Sequence, residues 1–154
     1  MNQLAERFRT TLFRQALFAE FEWETYKLSW NGTPLTKDLL CGLYHELNSE
    51  YYGEETVIDE DIDHEWERIP HFYMQFYVYQ YATGFSAAMA IARRILSGDE
   101  KTKEGYFRFL KGGCSKTPVE LLKLVGLDME KPDVVNEAMK VFEGLIKELE
   151  GSFS

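Results

Sequence analysis

Apolar residues recur at helical spacing along almost the whole chain. Leu4, Phe8 and Leu12 fall four apart, and Phe18, Phe21 and Tyr26 continue an apolar face. This spacing predicts a first helix that ends near Trp30, where Asn31-Gly32-Thr33-Pro34 reads as a turn. Thr36 is a suitable N-cap for a second helix, with Asp38 in its first turn. Leu39, Leu40, Leu43 and Leu47 form the buried stripe of that helix, and Gly53 is a plausible stop. A third, long helix is expected from Pro70, which suits a first helical position, to Gly98. Glu104 to Leu110 reads as a short helix closed by Gly112-Gly113. Thr117-Pro118-Val119-Glu120 combines a cap, a proline at N1 and a glutamate at N3, which together make a capping box, and Gly126 closes that helix. A last helix begins near Pro132 and carries Val135, Met139, Phe142, Ile146 and Leu149. Strand signals are confined to Thr56-Val57-Ile58, and no internal repeat is present. The pattern predicts an all-α fold, one helical domain over residues 1–154 with about five or six helices.

Composition changes the picture mainly by exclusion. The chain has 154 residues, 45% of them hydrophobic, which is enough for a real core. Its formal net charge of -9 argues against nucleic acid and anionic membrane as partners, since both would repel it. Cys41 and Cys114 stand far apart and write no zinc ribbon or redox pair; the expectation is two free, buried thiols in a reducing compartment. The start, Met1 to Arg7, has no apolar h-region, and a cytoplasmic protein is expected. From Ile69 to Ala92 there is no Lys, Arg, Asp or Glu, a length that could span a bilayer. His71, Gln75, Gln80, Thr83 and Ser86 make that costly, so a central helix buried on all sides is expected instead.

Familiar catalytic motifs are mostly absent. His45-Glu46-Leu47-Asn48-Ser49 and His64-Glu65-Trp66-Glu67-Arg68 each hold a His-Glu pair without the second His of a zinc-peptidase helix. Both are expected to be solvated polar surface. Asp61-x-x-His64 occurs once, in an expected loop, which is too little for a di-iron bundle. There is no phosphate-cradling glycine loop and no G-x-S-x-G elbow. With three His, a self-contained metal or acid/base site is poorly supplied.

What remains is Ile69 to Gly84, with four Tyr, two Gln and one His and no formal charge. One reading packs the Tyr rings inside and gives their hydroxyls backbone partners. The other makes them a wall of neutral donors along a cleft, able to hold a peptide carbonyl and the oxyanion that forms from it. At ~100° per residue, Tyr73, Tyr77 and Tyr81 share a helix face and His71 lies roughly opposite Tyr77. His71 joins the tyrosines only if it sits on an irregular turn next to Pro70.

That segment resembles the C-terminal region of oligoendopeptidase F, a branch of the thimet-oligopeptidase-like zinc metallopeptidases. Arg14 to Glu22, Tyr106 to Gly113, Pro118 to Leu122, Gly126 to Met129 and the last helix continue the likeness, from about Thr10 to Glu150. The resemblance implies part of a larger helical peptidase fold. It also implies a role as the C-terminal, substrate-cleft-forming part of a zinc-dependent oligopeptidase that hydrolyses short peptides. It assigns substrate-carbonyl and transition-state binding to His71, Tyr77 and Tyr81, with Tyr79 beside them in substrate binding. Family members carry zinc on an H-E-x-x-H helix with a third Glu ligand, upstream of the blocks matched here. The chain is therefore expected to begin after those ligands, to hold no cofactor of its own and to be inactive alone. It is expected to form a homo-oligomer or to pair with a missing N-terminal half. The alternative is a non-catalytic helical oligomerisation or interaction module derived from that family.

Overall fold

Helix α1 (Asn2–Arg7) passes without a break through a π-helical segment (Phe8–Phe13) into α2 (Arg14–Trp30) in the computed structural model, which describes residues 2–152. Then follow α3 (Lys37–Tyr52), two 3-10 helices (Glu60–Arg68 and Pro70–Tyr73), α4 (Tyr79–Leu96), α5 (Glu100–Gly112), α6 (Pro118–Lys123) and α7 (Asp133–Ser152). Counting the α1–α2 run as one, there are six separate α-helical rods and no strand among the described residues. The fold is all-α, and Thr56 to Ile58 is irregular. The ends of the expected 1–154 unit, Met1, Phe153 and Ser154, lie outside the described residues.

Local chemistry explains most boundaries. The Thr36 hydroxyl accepts the Leu39 amide, and Thr117 and Glu120 complete a reciprocal capping box. Asp99 caps α5 by accepting the Thr102 amide, so that helix begins earlier than Glu104. Asp59 likewise accepts the Asp61 amide, and the acidic run behind it starts a 3-10 helix where a loop was expected.

The chain divides into two compact units. One is Phe13–Ala82. Its core is Leu17, Phe18, Phe21, Tyr44, Leu47, Ile69 and Val78, where the Phe21 and Tyr44 rings meet edge to face at 5.2 Å. Here α3 packs against both α2 and the Glu60–Arg68 helix. The other unit comprises the described residues up to Leu12 and those from Thr83 onward. In it the fully buried Phe8 contacts the Phe85 (4.9 Å) and Phe142 (5.1 Å) rings, and a core is formed by Ala87, Ala90, Ile91, Val125, Leu127 and Val134. A Cβ on Gly105 would lie 2.5 Å from the Leu124 carbonyl, so this glycine is what lets α5 approach the end of α6.

Three expectations need correction. The single helix from Pro70 to Gly98 is broken: Met74 is extended, Phe76 takes φ 49°, and α4 starts only at Tyr79. The α-helical hydrogen-bond ladder cannot run through a residue with positive φ. That segment is also not buried on all sides, because α4 buries only Ser86, Ala87, Ala90 and Ile91 within this chain. Finally, Cys41 is half-buried and Cys114 is exposed.

Candidate functional site

The break in the long apolar segment builds the site. Pro70 opens a single 3-10 turn that carries His71. The chain then reverses between Met74 and Tyr77, where the Tyr77 amide donates to the Met74 carbonyl at 3.0 Å. Phe76 occupies the third position of this turn, with the positive φ usually met by glycine. Helix α2 holds it there. The Phe76 amide donates to Glu22 Oε1 at 2.8 Å, and its ring packs on Tyr26 (4.6 Å) and Trp23 (6.2 Å). Val78, almost fully buried, pins the chain to the core before α4 begins.

This reversal places His71 with Tyr77 and Tyr81. The imidazole stacks on the Tyr77 ring at 5.6 Å and 8°, and meets the Tyr81 ring edge-on at 5.8 Å. The Tyr81 hydroxyl donates to the Tyr77 oxygen at 3.3 Å and lies 3.4 Å from His71 Nε2. Since the Tyr81 proton goes to Tyr77, the contact with His71 is a hydrogen bond only with the proton on Nε2. The chain of donors then runs His71, Tyr81, Tyr77, and the Tyr77 proton is left to point onward. Both bonds are long for their type and have room to tighten on a ligand. Tyr77 and Tyr81 are each 37% exposed, so their rings are not sealed in the core. Donation to Tyr77 raises the Tyr81 phenol above its ordinary range and keeps it a donor. Tyr79, half exposed, is two residues from Tyr81, a spacing that turns it to another side of α4. Phe72 and Tyr73, from the same turn as His71, line a cleft of about 310 Å³ together with Glu22, Tyr26 and Trp66.

Two acidic residues are buried in the same unit. Glu22 is 3% exposed; burial raises its carboxyl, and the Phe76 amide opposes that shift. Its sequence signal is a carboxylate set into the apolar stripe Phe18-Phe21-Tyr26. Glu65, expected on solvated surface, is 8% exposed instead. It accepts from Tyr44 (2.7 Å), Arg14 (2.5 Å) and Arg68 (2.6 Å). Burial pushes Glu65 up, yet the Tyr44 hydroxyl and Arg14 together hold it below the usual carboxylate range.

The Phe76 turn gives a first test. Glu22→Ala removes the acceptor of a buried amide and is expected to cost about 1–3 kcal/mol in urea unfolding, whereas Glu22→Gln keeps an acceptor and loses less. Equal losses in the two variants would mean that the Phe76 amide bond is not what Glu22 contributes.

The peptidase zinc set of the resembled family does not fit the residues here. His45 is followed at i+4 by Ser49, and its Nδ1 is bonded to Asp63 at 2.8 Å. His71 has phenols for neighbours rather than carboxylates or a second imidazole.

Comparison with known proteins decides the family. The model of peptidase family M3 matches residues 1–141. The chain belongs to peptidase family M3. This M3 chain is 46% identical over 150 residues to oligopeptidase PepF of Bacillus subtilis, a match covering 97% of the chain and 22% of that protein. It is 43% identical to the chromosomal oligoendopeptidase F of Lactococcus lactis subsp. cremoris, over 97% of the chain and 25% of that protein. The crystal structure of oligoendopeptidase-F from Enterococcus faecium superposes with a TM-score of 0.94 at 44% identity, covering 97% of this chain and 29% of that one. The M3 chain thus spans less than a third of the length of these relatives.

Proposed function

We propose that the chain forms one side of the substrate cleft of a zinc-dependent oligopeptidase that hydrolyses short peptides in its intact form. In this reading His71, Tyr77 and Tyr81 bind the carbonyl under attack, and Tyr79 contacts substrate further along. The observation that carries it is the convergence of an imidazole on two part-exposed phenols from which a regular helix would have kept it apart. When water adds to a peptide carbonyl, the oxygen gains charge. A neutral O–H donor then binds it more strongly than it bound the carbonyl, and that difference lowers the barrier. A phenol is a neutral donor at neutral pH, so it supplies such a bond without a counter-charge. Before substrate binds, His71 stacks on the Tyr77 ring and bonds the Tyr81 hydroxyl; on binding, the Nε2 proton and the two hydroxyl protons turn to the carbonyl oxygen.

The H-E-x-x-H helix implied by the resemblance has no counterpart in these 154 residues. In this reading the chain alone lacks the zinc helix that activates the water in the family, and it does not cleave peptides. Incubating the purified chain with a quenched fluorescent peptide should give no fluorescence above buffer. Cleavage that is lost in Tyr77→Phe would overturn this account.

A second reading, association with another helical surface, is favoured by an apolar groove of about 820 Å³ in the unit that includes residues from Thr83 onward. It is lined by Ala88, Ile91, Ile95, Phe109, Leu121 and Leu122. It is compatible with the first, with either a second copy or an N-terminal half as the occupant. A cytoplasmic setting belongs to the same proposal, because Cys41 and Cys114 are both free thiols. No helix among the described residues is long and apolar enough to cross a membrane.

A further inference from the structure

We propose that Cys41, His64 and Glu67 form a binding site for a divalent cation of the zinc(II) class. The sequence offered His64 only as half of a metal motif, and the fold supplies the rest. A 3-10 helix has three residues per turn, so His64 and Glu67, three apart on Glu60–Arg68, stand above one another on one edge. Cys41 comes to them from α3, which packs on that helix.

Cys41 Sγ lies 3.5 Å from His64 Nδ1, and Nδ1 lies 3.0 Å from Glu67 Oε1. One ligand atom from each residue falls within 4.8 Å of the other two. A tetrahedral ion with a Zn–S bond of about 2.3 Å and a Zn–N bond of about 2.0 Å sets sulfur and nitrogen about 3.5 Å apart. The matching nitrogen–oxygen separation is about 3.3 Å. Two of the three separations are therefore close to those of one bound ion, and closing the site brings Cys41 Sγ and Glu67 Oε1 together around it.

Nδ1 carries one proton or one lone pair and faces both a thiol and a carboxylate, so it satisfies both only through a weaker shared bond. A Lewis acid in the middle would bind all three donors at once. Thiolate and imidazole suit zinc better than magnesium or calcium, and the fourth position is left to water. The neighbouring Glu60, Asp61 and Asp63 add negative charge that favours a dication.

The test uses the chain itself, reduced and stripped of metal, titrated with cobalt(II) and then zinc(II). One equivalent of cobalt should bind with a thiolate-to-metal charge-transfer band in the near ultraviolet, and zinc should displace it. Cys41→Ser should abolish the band, and His64→Ala and Glu67→Gln should each weaken binding by ~10-fold or more. Cys114→Ser, at an exposed position outside the cluster, should leave it unchanged. Because the thiol must lose its proton to bind, affinity should rise with pH. Circular dichroism checks that the variants remain folded. Absence of the band in the parent chain, or its survival in Cys41→Ser, overturns the site and leaves an ordinary thiol–imidazole–carboxylate contact.

Discussion

Replacing Tyr77 or Tyr81 by Phe in an intact oligopeptidase carrying this segment is expected to lower turnover by ~10²-fold or more, the usual size for loss of one oxyanion donor. The rings should stay in place, because their contacts with His71 are made by ring faces and edges that Phe retains. KM should change much less than kcat, since the lost bond strengthens only as charge develops on the substrate oxygen. The two losses should not multiply. The Tyr81 hydroxyl lies between His71 and Tyr77, so removing it also disorders its neighbour. Steady-state kinetics of both single variants and the double variant check this. Unchanged turnover in both singles would return these hydroxyls to a packing role.

The largest expected effect on stability lies at Glu65. Glu65→Ala should cost about 3 kcal/mol in the unit Phe13–Ala82, because it leaves the Arg14 charge and the buried Tyr44 hydroxyl without their acceptor. Arg68, itself largely exposed, adds little to that figure. The same pair fixes a pH dependence. Glu65 has a folded-state pKa below its ordinary value, so the folded protein resists protonating it. Its contribution is fully present above the ordinary glutamate range and is lost as pH falls through and below that range. Urea unfolding at neutral pH and again near the glutamate range should show a falling midpoint in the parent chain and a flatter profile in Glu65→Gln. A Glu65→Ala variant within about 0.5 kcal/mol of the parent would rule out the network as a major support.

Much of this architecture can be read from local signals. Thr36, Gly53, Thr117 and Glu120 mark helix ends where their caps are found, and α2 ends at Trp30, before the Asn31-Gly32 turn. Those signals act within a few residues, so the chain alone displays them. The break at Phe76 is different. Nothing local stops a helix at Gln75-Phe76-Tyr77, because the positive φ falls on a phenylalanine. Its causes lie on α2, in the Glu22 carboxylate and the Trp23 and Tyr26 rings, fifty or more residues away in sequence. The candidate site shows the same division. The uncharged run of tyrosines pointed to the segment in which the cluster forms, and the helical phase showed that His71 could join it only from an irregular turn. That turn exists, yet the carboxylate that holds it, Glu22, was visible only as an acidic position within an apolar stripe. Glu65 was misplaced for a related reason: its neighbours His64 and Glu67 are exposed, and only the approach of Arg14 and Tyr44 buries it.

The central claim is that His71, Tyr77 and Tyr81 bind the tetrahedral species rather than merely pack. A phosphinic peptide, whose tetrahedral phosphorus carries oxygens where the oxyanion would form, tests it most directly in the intact enzyme. Across His71→Ala, Tyr77→Phe and Tyr81→Phe, its inhibition constant should rise in proportion to the fall in kcat/KM. Inhibition that stays at the parent value while kcat/KM falls would show that these side chains do not touch the reacting oxygen.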